Sequence, residues 1–344
     1  MKKTFIALLP LAALATGCSD NQQPDPGPSA TGHEIGFYAT APKGTRSAST
    51  TTATLQDFLV YAYTDTSVIM DGVTVKRDGG SWTYSPAVYW PGVPVDFYAV
   101  SPASGAWGSK PSGESESKSV VRLDYGATDY LYAVALDQVE SPAPVPLTFR
   151  HAMSKVAVML SSTSNRYTVE VYHVSLNNIS LSGEFTMPQQ NTSGTGGLGK
   201  WNGLSAPGKA LTYYDIDGGA ATLTPTPADL TDGNINASYF VPQTLQKLTY
   251  SPSSGFTGSF MQIDCIVKDK ATGKKVWPNE NTPSYLLVEQ TDCGRMLFPL
   301  STPAVTSWQQ GYSYVYNVVI NNTYTVDTIG FAPVVEDYVM TQPF

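Results

Sequence analysis

The chain has 344 residues, of which 42% are hydrophobic and 14% charged, and its formal net charge is −8 at pH 7. The acidic balance disfavours attraction to nucleic acid or to an anionic membrane face, so we expect no nucleic acid among its partners. Soluble domains average about 25% charged residues. Low charge together with 21 Tyr, 25 Pro and 29 Gly is typical of an extracellular protein rich in β-strands.

The first segment has the pattern of a secretory signal. Lys2 and Lys3 form a short positive region, residues 5–14 form an apolar run, and the small residues 15–17 lead into Cys18. The run is too short to cross a bilayer, which needs about 20 apolar residues. The pattern predicts export and cleavage, so this segment does not contribute to the fold.

The small residues directly before a lone cysteine resemble the lipobox of bacterial lipoproteins. The resemblance implies a signal peptide over residues 1–17, a lipid on the Cys18 sulfur, cleavage before Cys18 and acylation of the new amine, which would anchor the protein at the surface of the outer membrane. An ordinary signal peptide with an incidental cysteine is the alternative. Residues 18–34 are polar and rich in Pro, Gly and Ser, which predicts a flexible tether.

Strand-like alternation of apolar residues recurs along the rest of the chain, and no segment keeps a helical period for long. The clearest runs are 58–63, 95–99, 156–160, 169–176, 261–265, 285–288, 296–298 and 312–320. Asp78-Gly79-Gly80 between two apolar runs predicts a hairpin, because these residues tolerate positive φ. Three stretches rich in Ser, Gly, Pro or Thr predict exposed loops, at 101–118, 188–210 and 225–236. Many short strands predict stacked β-sheets.

The length after export favours two consecutive domains, since one domain usually has about 100–200 residues. Pro142-Ala143-Pro144 is typical of a linker, and it places the boundary there or just after it. We therefore predict an N-terminal β-sandwich over residues 35–148 and a C-terminal β-sandwich over residues 149–344.

The chain offers little catalytic chemistry. His151 and His173 lie in or beside strand-like runs, and no serine or cysteine has the sequence context of a nucleophile elbow. Cys265 and Cys293 either form a disulfide in the oxidising export compartment or stay two buried thiols. No spacing of Cys, His or carboxylates indicates a metal site. We predict no catalytic residue, no metal and no cofactor, and therefore a binding or structural protein rather than an enzyme.

A series of short motifs, by its order and spacing along nearly the whole chain, resembles the fimbrillin-like family, which comprises the lipoprotein pilins of type V pili and related surface subunits. The motifs include Ile35-Gly36-Phe37, Tyr89-Trp90-Pro91 and Phe240-Val241-Pro242-Gln243. The other motifs lie at residues 58–63, 96–102, 129–133, 147–156 and 308–314. The resemblance implies an all-β protein with two consecutive transthyretin-like β-sandwich domains.

The resemblance also implies an assembly mechanism with named parts. In such pilins a trypsin-like protease cuts after an arginine that follows the first strand, and a neighbouring subunit's strand fills the groove. Ile35, Phe37 and Ala39 alternate and are predicted to form the removable plug strand. Arg46 is the predicted cut site, with Lys43 as a second candidate, and a plain surface arginine is the alternative.

The end of the chain carries a candidate donor strand. Ile329-Gly330-Phe331 repeats the tripeptide Ile35-Gly36-Phe37, and a donor strand should mimic the strand that it replaces. Ile329 and Phe331 are therefore the candidate donor residues, although a final strand that stays in its own domain is the simpler interpretation.

Two functions remain open at this stage. The first is a structural or adhesive fimbrial subunit, found on the outer membrane and in the fimbrium after processing, with other fimbrial subunits, a trypsin-like protease and a host or bacterial surface receptor as partners. The alternative is a glycan-binding surface lipoprotein of a nutrient-uptake system, with Trp107 and Trp201 in exposed loops as platforms for sugars.

Overall fold

Strands make up almost all of the regular structure. A computed structural model describes residues 32–41, 50–105, 120–209, 214–215, 220–229, 239–289, 291–321 and 330–337, and in these ranges the one helical element is a 3₁₀ turn at Ser284–Leu286. The predicted all-β class is confirmed. Within the same ranges, no helix has the length and apolar character needed to cross a bilayer.

Nine strands precede residue 152. They are β1 (Phe37–Thr40), β2 (Asp57–Tyr63), β3 (Val68–Asp78), β4 (Ser81–Thr83), β5 (Val95–Ser101), β6 (Val120–Asp124), β7 (Leu131–Gln138), β8 (Val145–Thr148) and β9 (Arg150–His151).

The remaining strands extend to the end of the described chain. The first of them are β10 (Ser154–Ser161), β11 (Tyr167–Ile179), β12 (Ser182–Thr186), β13 (Lys200–Asn202), β14 (Gly208–Lys209), β15 (Tyr214–Asp215), β16 (Ala221–Thr222), β17 (Ala228–Asp229) and β18 (Tyr239–Phe240). The last are β19 (Gln243–Thr244), β20 (Thr249–Ser251), β21 (Gly255–Thr257), β22 (Phe260–Asp269), β23 (Lys275–Trp277), β24 (Gly294–Pro299), β25 (Ser307–Trp308), β26 (Tyr312–Val319) and β27 (Gly330–Asp337).

The N-terminal part is organised around one six-stranded sheet with the order β4-β3-β2-β5-β7-β9. β2 lies between β3 and β5, which agrees with its apolar residues on both faces. The predicted hairpin is confirmed, because Asp78 pairs with Ser81 and Gly79 has a φ of 59°. One face of this sheet packs with the two-stranded sheet β1-β8 around a set of buried apolar residues, here called the N-terminal core.

The C-terminal part has two larger sheets on either side of a second core. One sheet has the order β17-β10-β26-β27, and the other has the order β14-β11-β22-β23 with β24 also paired to β22. Val158 on β10, Ile263 on β22 and Tyr316 on β26 are fully buried in the shared core, here called the C-terminal core. Two sheets that bury one apolar layer between them form a β-sandwich.

A third cluster joins strands from both sides of the predicted domain boundary. Tyr98 on β5 and Tyr132 on β7 pack in one cluster with Phe185 on β12. The backbone also crosses the boundary, because β6 pairs with β12 in antiparallel register. The domain bounds 35–148 and 149–344 and the transthyretin-like arrangement stay predictions.

One local prediction is wrong and another is right only in part. The alternation at residues 285–288 predicts a strand, but the chain forms the 3₁₀ turn there and Tyr285 and Leu287 are both exposed. Most described residues of the stretch 188–210 are exposed as predicted, but Thr192 is fully buried and its hydroxyl accepts the Val134 N–H at 3.0 Å. Loop composition hides such contacts, because one threonine can complete the hydrogen bonding of a remote strand. Parts of the other two predicted loops, 106–118 and 230–236, lie outside the described residues.

Candidate functional site: the first strand and its surroundings

The first strand inserts every second side chain into the N-terminal core. Ile35, Phe37 and Ala39 are 0%, 6% and 3% exposed, whereas Tyr38 between them is 60% exposed. This two-residue alternation is the geometry of a strand with one buried face. The side chains predicted to face inward are buried, and their role as a removable plug stays a prediction.

Phe37 lies among aromatic rings that the sheet provides. Its ring centroid is 6.2 Å from that of Phe58, 5.9 Å from Phe97 and 5.7 Å from Tyr84, with steep angles between the ring planes. Edge-to-face contacts of this kind add about 0.5–1.5 kcal/mol per pair to the burial of the ring itself. Phe37 is therefore the main side-chain anchor of the first strand.

The backbone of the first strand has one regular partner. β1 runs parallel to β8, with Phe37 opposite Val145 and Thr40 opposite Thr148. The Val145 N–H donates to the Gly36 carbonyl at 2.8 Å, and the Phe149 N–H donates to the Thr40 carbonyl at 2.7 Å. β1 and β8 form a two-stranded sheet of their own.

A few isolated contacts hold the residues just before β1. The Ile35 N–H donates to the Val88 carbonyl at 2.9 Å, and the Trp90 N–H donates to the His33 carbonyl at 3.0 Å. The Tyr84 hydroxyl also donates to the Ile35 carbonyl at 2.6 Å. The docked segment thus begins a few residues upstream of Ile35, inside the predicted tether.

The connection after β1 has its two ends fastened close together. The Ala41 N–H donates to the Thr52 hydroxyl at 2.8 Å, and that hydroxyl donates to the Ala41 carbonyl at 2.8 Å. The Thr50 N–H donates to Asp129 Oδ2 at 2.8 Å. Asp129 is buried, and its other oxygen lies 2.7 Å from the Nδ1 atom of buried His151. Residues 42–49 are consequently bracketed by contacts on both sides.

Most of the predicted processing and donor residues lie outside the described part of the chain. These residues are Cys18, Lys43, Arg46 and Ile329. Phe331 lies on β27, which pairs antiparallel with β26 and places Phe331 opposite Val318. β27 is the last strand in its sheet, so one of its backbone edges has no strand partner among the described residues.

The two cysteines of the C-terminal part are both buried free thiols. Cys265 on β22 lies opposite Gly294, the residue that follows Cys293. Burial raises the pKa of the Cys265 thiol well above its usual value and also raises the pKa of Cys293. Both groups are therefore protonated and unreactive at neutral pH, and a disulfide between them stays a prediction.

His151, His173 and Trp201 all lie on strands of the fold. His151 is bound to Asp129, and His173 lies within β11. The described residues include no group of three or more His, Cys, Asp or Glu side chains that could hold a metal ion. Trp201 lies on β13 instead of in a flexible loop, donates its indole N–H to the Ala152 carbonyl at 2.9 Å and packs against Phe185. Trp107 lies outside the described residues.

Sequence reasoning missed the residues that receive the first strand. Tyr84 and Trp90 contact the segment around β1, and Asp129 fastens the end of the following connection. Asp129 lies in the motif at residues 129–133, but no pattern in the nearby sequence indicates that its carboxylate accepts a hydrogen bond from Thr50.

Comparisons with known proteins give one family and several related folds. The sequence model described as Fimbrillin-like matches residues 27–337. No curated protein sequence matches the chain. A fimbrial protein from Bacteroides vulgatus is 13% identical with a TM-score of 0.49, over 89% of this chain and 99% of that one. A fimbrilin from Porphyromonas gingivalis is 12% identical with a TM-score of 0.46, over 85% and 91%.

Proposed function

Because the chain belongs to the fimbrillin-like family, we propose that it is a structural or adhesive subunit of a surface fimbrium and that it assembles by strand exchange. In this proposal the protein is exported as a lipoprotein anchored through Cys18. A trypsin-like protease cuts after Arg46, β1 leaves the N-terminal core, and a strand of a neighbouring subunit takes its place.

The burial of β1 against a single partner strand is the observation that carries this proposal. Removal of the strand would uncover the backbone edge of β8 and the rings around Phe37. Unpaired backbone groups beside an apolar slot form a template for another strand, because hydrogen bonds supply affinity and alternate side chains supply specificity. A subunit without β1 is therefore driven to bind a replacement.

The position of the connection after β1 supports processing there. Residues 42–49 carry Lys43 and Arg46 in a polar sequence, and contacts at Ala41 and Thr50 hold the flanking chain in place. A cut in this interval leaves β1 with no covalent link to β2. It also separates the folded part from Cys18, so the same cut would release the subunit from the membrane.

The last strand supports the donor role. β27 occupies the end of its sheet and follows a connection that begins after residue 321. Its sequence alternates apolar residues from Ile329 to Phe331, as does the strand that it would replace. In the proposed polymer, this segment of one subunit completes the N-terminal core of the next.

Limited trypsin digestion of the protein without its signal peptide tests the cut site. We expect one early cleavage after Arg46, identified by N-terminal sequencing, followed by oligomers on size-exclusion chromatography. Arg46→Ala should abolish both results, whereas Lys43→Ala serves as the matched control and should retain them. Early cleavage elsewhere with Arg46 intact would contradict the proposed processing.

A reversible lock on the first strand tests strand exchange separately from cleavage. Tyr38 lies opposite Pro146, and both are exposed. Neighbouring strands are about 4.8 Å apart, within the Cα range of about 4.4–6.8 Å for disulfides. We expect the double variant Tyr38→Cys and Pro146→Cys to be cleaved yet stay monomeric when oxidised, and to form oligomers after reduction. Oligomers from the oxidised protein would show that assembly does not require release of β1. The single variant Tyr38→Cys controls for the effect of the substitution itself.

A further inference from the structure

A second site lies in the C-terminal part, far in sequence from the first strand. β22 pairs with β24 along Phe260–Cys265 and then with β23 at Val267 and Lys268. The chain between β23 and β24 leaves an open cleft of about 820 Å³ at this change of partner. Small-molecule sites usually have about 300–1,000 Å³, so the cleft has room for a ligand of several rings.

One wall of the cleft is aromatic and exposed. Tyr285 lines the cleft and is 44% exposed, and it stacks on Tyr250 with ring centroids 4.6 Å apart and an interplanar angle of 30°. Tyr250 is 43% exposed and lies on the β20-β21 hairpin, whose Phe256 ring supports both tyrosines. Leu287 beside them is also exposed. Exposed apolar surface that is held rigid and rimmed by polar groups marks a binding site.

Other residues of the lining, here called the polar wall, carry both donors and acceptors. Arg295 donates from Nη2 to the Leu287 carbonyl at 3.0 Å. Lys275 lies 3.4 Å from Asp292, and Glu280 adds a further carboxylate. A sugar hydroxyl can both donate and accept, so it can pair with either kind of group.

We propose that this cleft binds a neutral saccharide. The C–H face of a pyranose ring packs on Tyr285, and its hydroxyl groups accept from Arg295 and donate to Glu280 and Asp292. The carboxylates that line the cleft, Glu280, Glu289 and Asp292, outnumber its cations Lys275 and Arg295, which disfavours an anionic ligand. Charged and amide side chains among the lining residues likewise disfavour a purely apolar one. The inference does not depend on strand exchange or on Cys18.

Saturation-transfer NMR and calorimetry on the full folded chain test the site. The probes are cellotetraose, maltotetraose, mannotetraose and lacto-N-tetraose, with sialyllactose as an anionic comparison. We expect at least one neutral probe to bind and Tyr285→Ala to weaken that binding about tenfold or more, which corresponds to about 1.4 kcal/mol. Tyr285→Phe keeps the aromatic face and should bind within about threefold of the original protein.

Tyr89→Ala is the matched control, because Tyr89 is 43% exposed but lies on the N-terminal part. It should leave binding unchanged. Glu280→Ala removes an exposed carboxylate without touching the rings, so it tests the polar wall even if Tyr285→Ala lowers the melting temperature. Failure of every neutral probe at millimolar concentration, preference for sialyllactose, or binding that survives both Tyr285→Ala and Glu280→Ala would overturn the proposal.

Discussion

Two parallel strand pairs join remote parts of the chain, and they differ in how firmly each strand is held. β1 pairs with β8 over four residue pairs, from Phe37↔Val145 to Thr40↔Thr148, and has no other paired strand among the described residues. β26 pairs with β10 over seven, from Lys155↔Ser313 to Ser161↔Val319, and with β27 on its other edge. The hydrogen-bond pattern is the same in both pairs. The difference lies in length and in the number of bonded edges, and these determine whether a strand can leave without unfolding the rest.

The side chains of the two strands show the same contrast. β1 buries one face, and Tyr38 on the other face is exposed. β26 buries both faces, since Tyr316 is 0% exposed in the C-terminal core and Val315, which points the other way, is 5% exposed. The Tyr316 hydroxyl also donates to the Leu300 carbonyl at 3.1 Å and accepts the Trp308 indole N–H at 2.9 Å. Loss of β26 would disrupt several elements at once, so β1 should open locally and β26 only in global unfolding.

The largest effect should follow from removing the ring that anchors β26. Tyr316→Ala leaves a cavity and strands the Trp308 N–H and the Leu300 carbonyl without partners, so we expect a loss of about 4–5 kcal/mol in the free energy of unfolding. Urea denaturation measures this loss. Tyr316→Phe keeps the ring and should lose only about 1–2 kcal/mol. A loss below about 1 kcal/mol for Tyr316→Ala would contradict the description of β26 as an integral strand.

The corresponding change in β1 should be large only while β1 is in place. Phe37→Ala removes the ring from its aromatic surroundings, and we expect the uncleaved protein to lose about 3 kcal/mol in the same urea measurement. Tyr38→Ala, on the exposed face, should stay within about 0.5 kcal/mol. After cleavage and release of β1, Phe37→Ala should have no effect on the remaining fold. An equal loss before and after cleavage would mean that β1 stays bound in the cleaved protein.

The stability of the protein at alkaline pH should depend on a tyrosine on the far face of the six-stranded sheet, the face that lies away from β1. Phe97 faces β1, whereas Tyr98 faces the third cluster and donates its hydroxyl to Gln189 at 3.3 Å. Burial, with a smaller contribution from Asp96, raises the pKa of Tyr98 from its ordinary 10.0 to about 12. Above pH 10 the unfolded chain therefore loses this proton before the folded one does, and stability falls as pH rises towards 12.

The size of that fall can be measured by substitution. One tyrosine with this shift lowers the free energy of unfolding by about 1.4 kcal/mol between pH 9 and pH 11. Tyr98→Phe should make the pH dependence shallower by that amount, whatever its effect at pH 9. Parallel curves for the original protein and Tyr98→Phe would show that Tyr98 ionises normally in the folded state.

The sequence predicts the inward-facing residues of β1 but not the strand with which it pairs. Alternation is a local property, so Ile35, Phe37 and Ala39 can be assigned to a buried face from their spacing alone. The partner of Phe37 is Val145, and no local pattern selects that pairing over another apolar run. The same limit applies to the contact between Asp129 and Thr50, which rests on tertiary geometry.

The second site was hidden for a different reason. Tyr285 and Leu287 alternate like a strand, but both are exposed in and beside a 3₁₀ turn. A short apolar run has the same spacing whether it is buried or displayed, and only the fold around it distinguishes the two cases. Trp201 shows the converse, since a tryptophan in a glycine-rich segment is held by Ala152 and Phe185 rather than displayed.

The smallest effect should come from the carboxylate that fastens the chain after β1, and it should appear in cleavage more than in stability. Asp129→Asn leaves only one of the two oxygens that contact Thr50 and His151. We therefore expect a loss of about 1 kcal/mol in the free energy of unfolding. If local opening precedes cleavage, that loss raises the rate of trypsin cleavage after Arg46 about fivefold. Thr52→Val, which removes the two bonds to Ala41, should act similarly. Asp124→Asn, at an exposed position, is the control and should leave the cleavage rate unchanged. Equal cleavage rates for all of these variants would show that the bonds of Asp129 and Thr52 do not control access to the cut site.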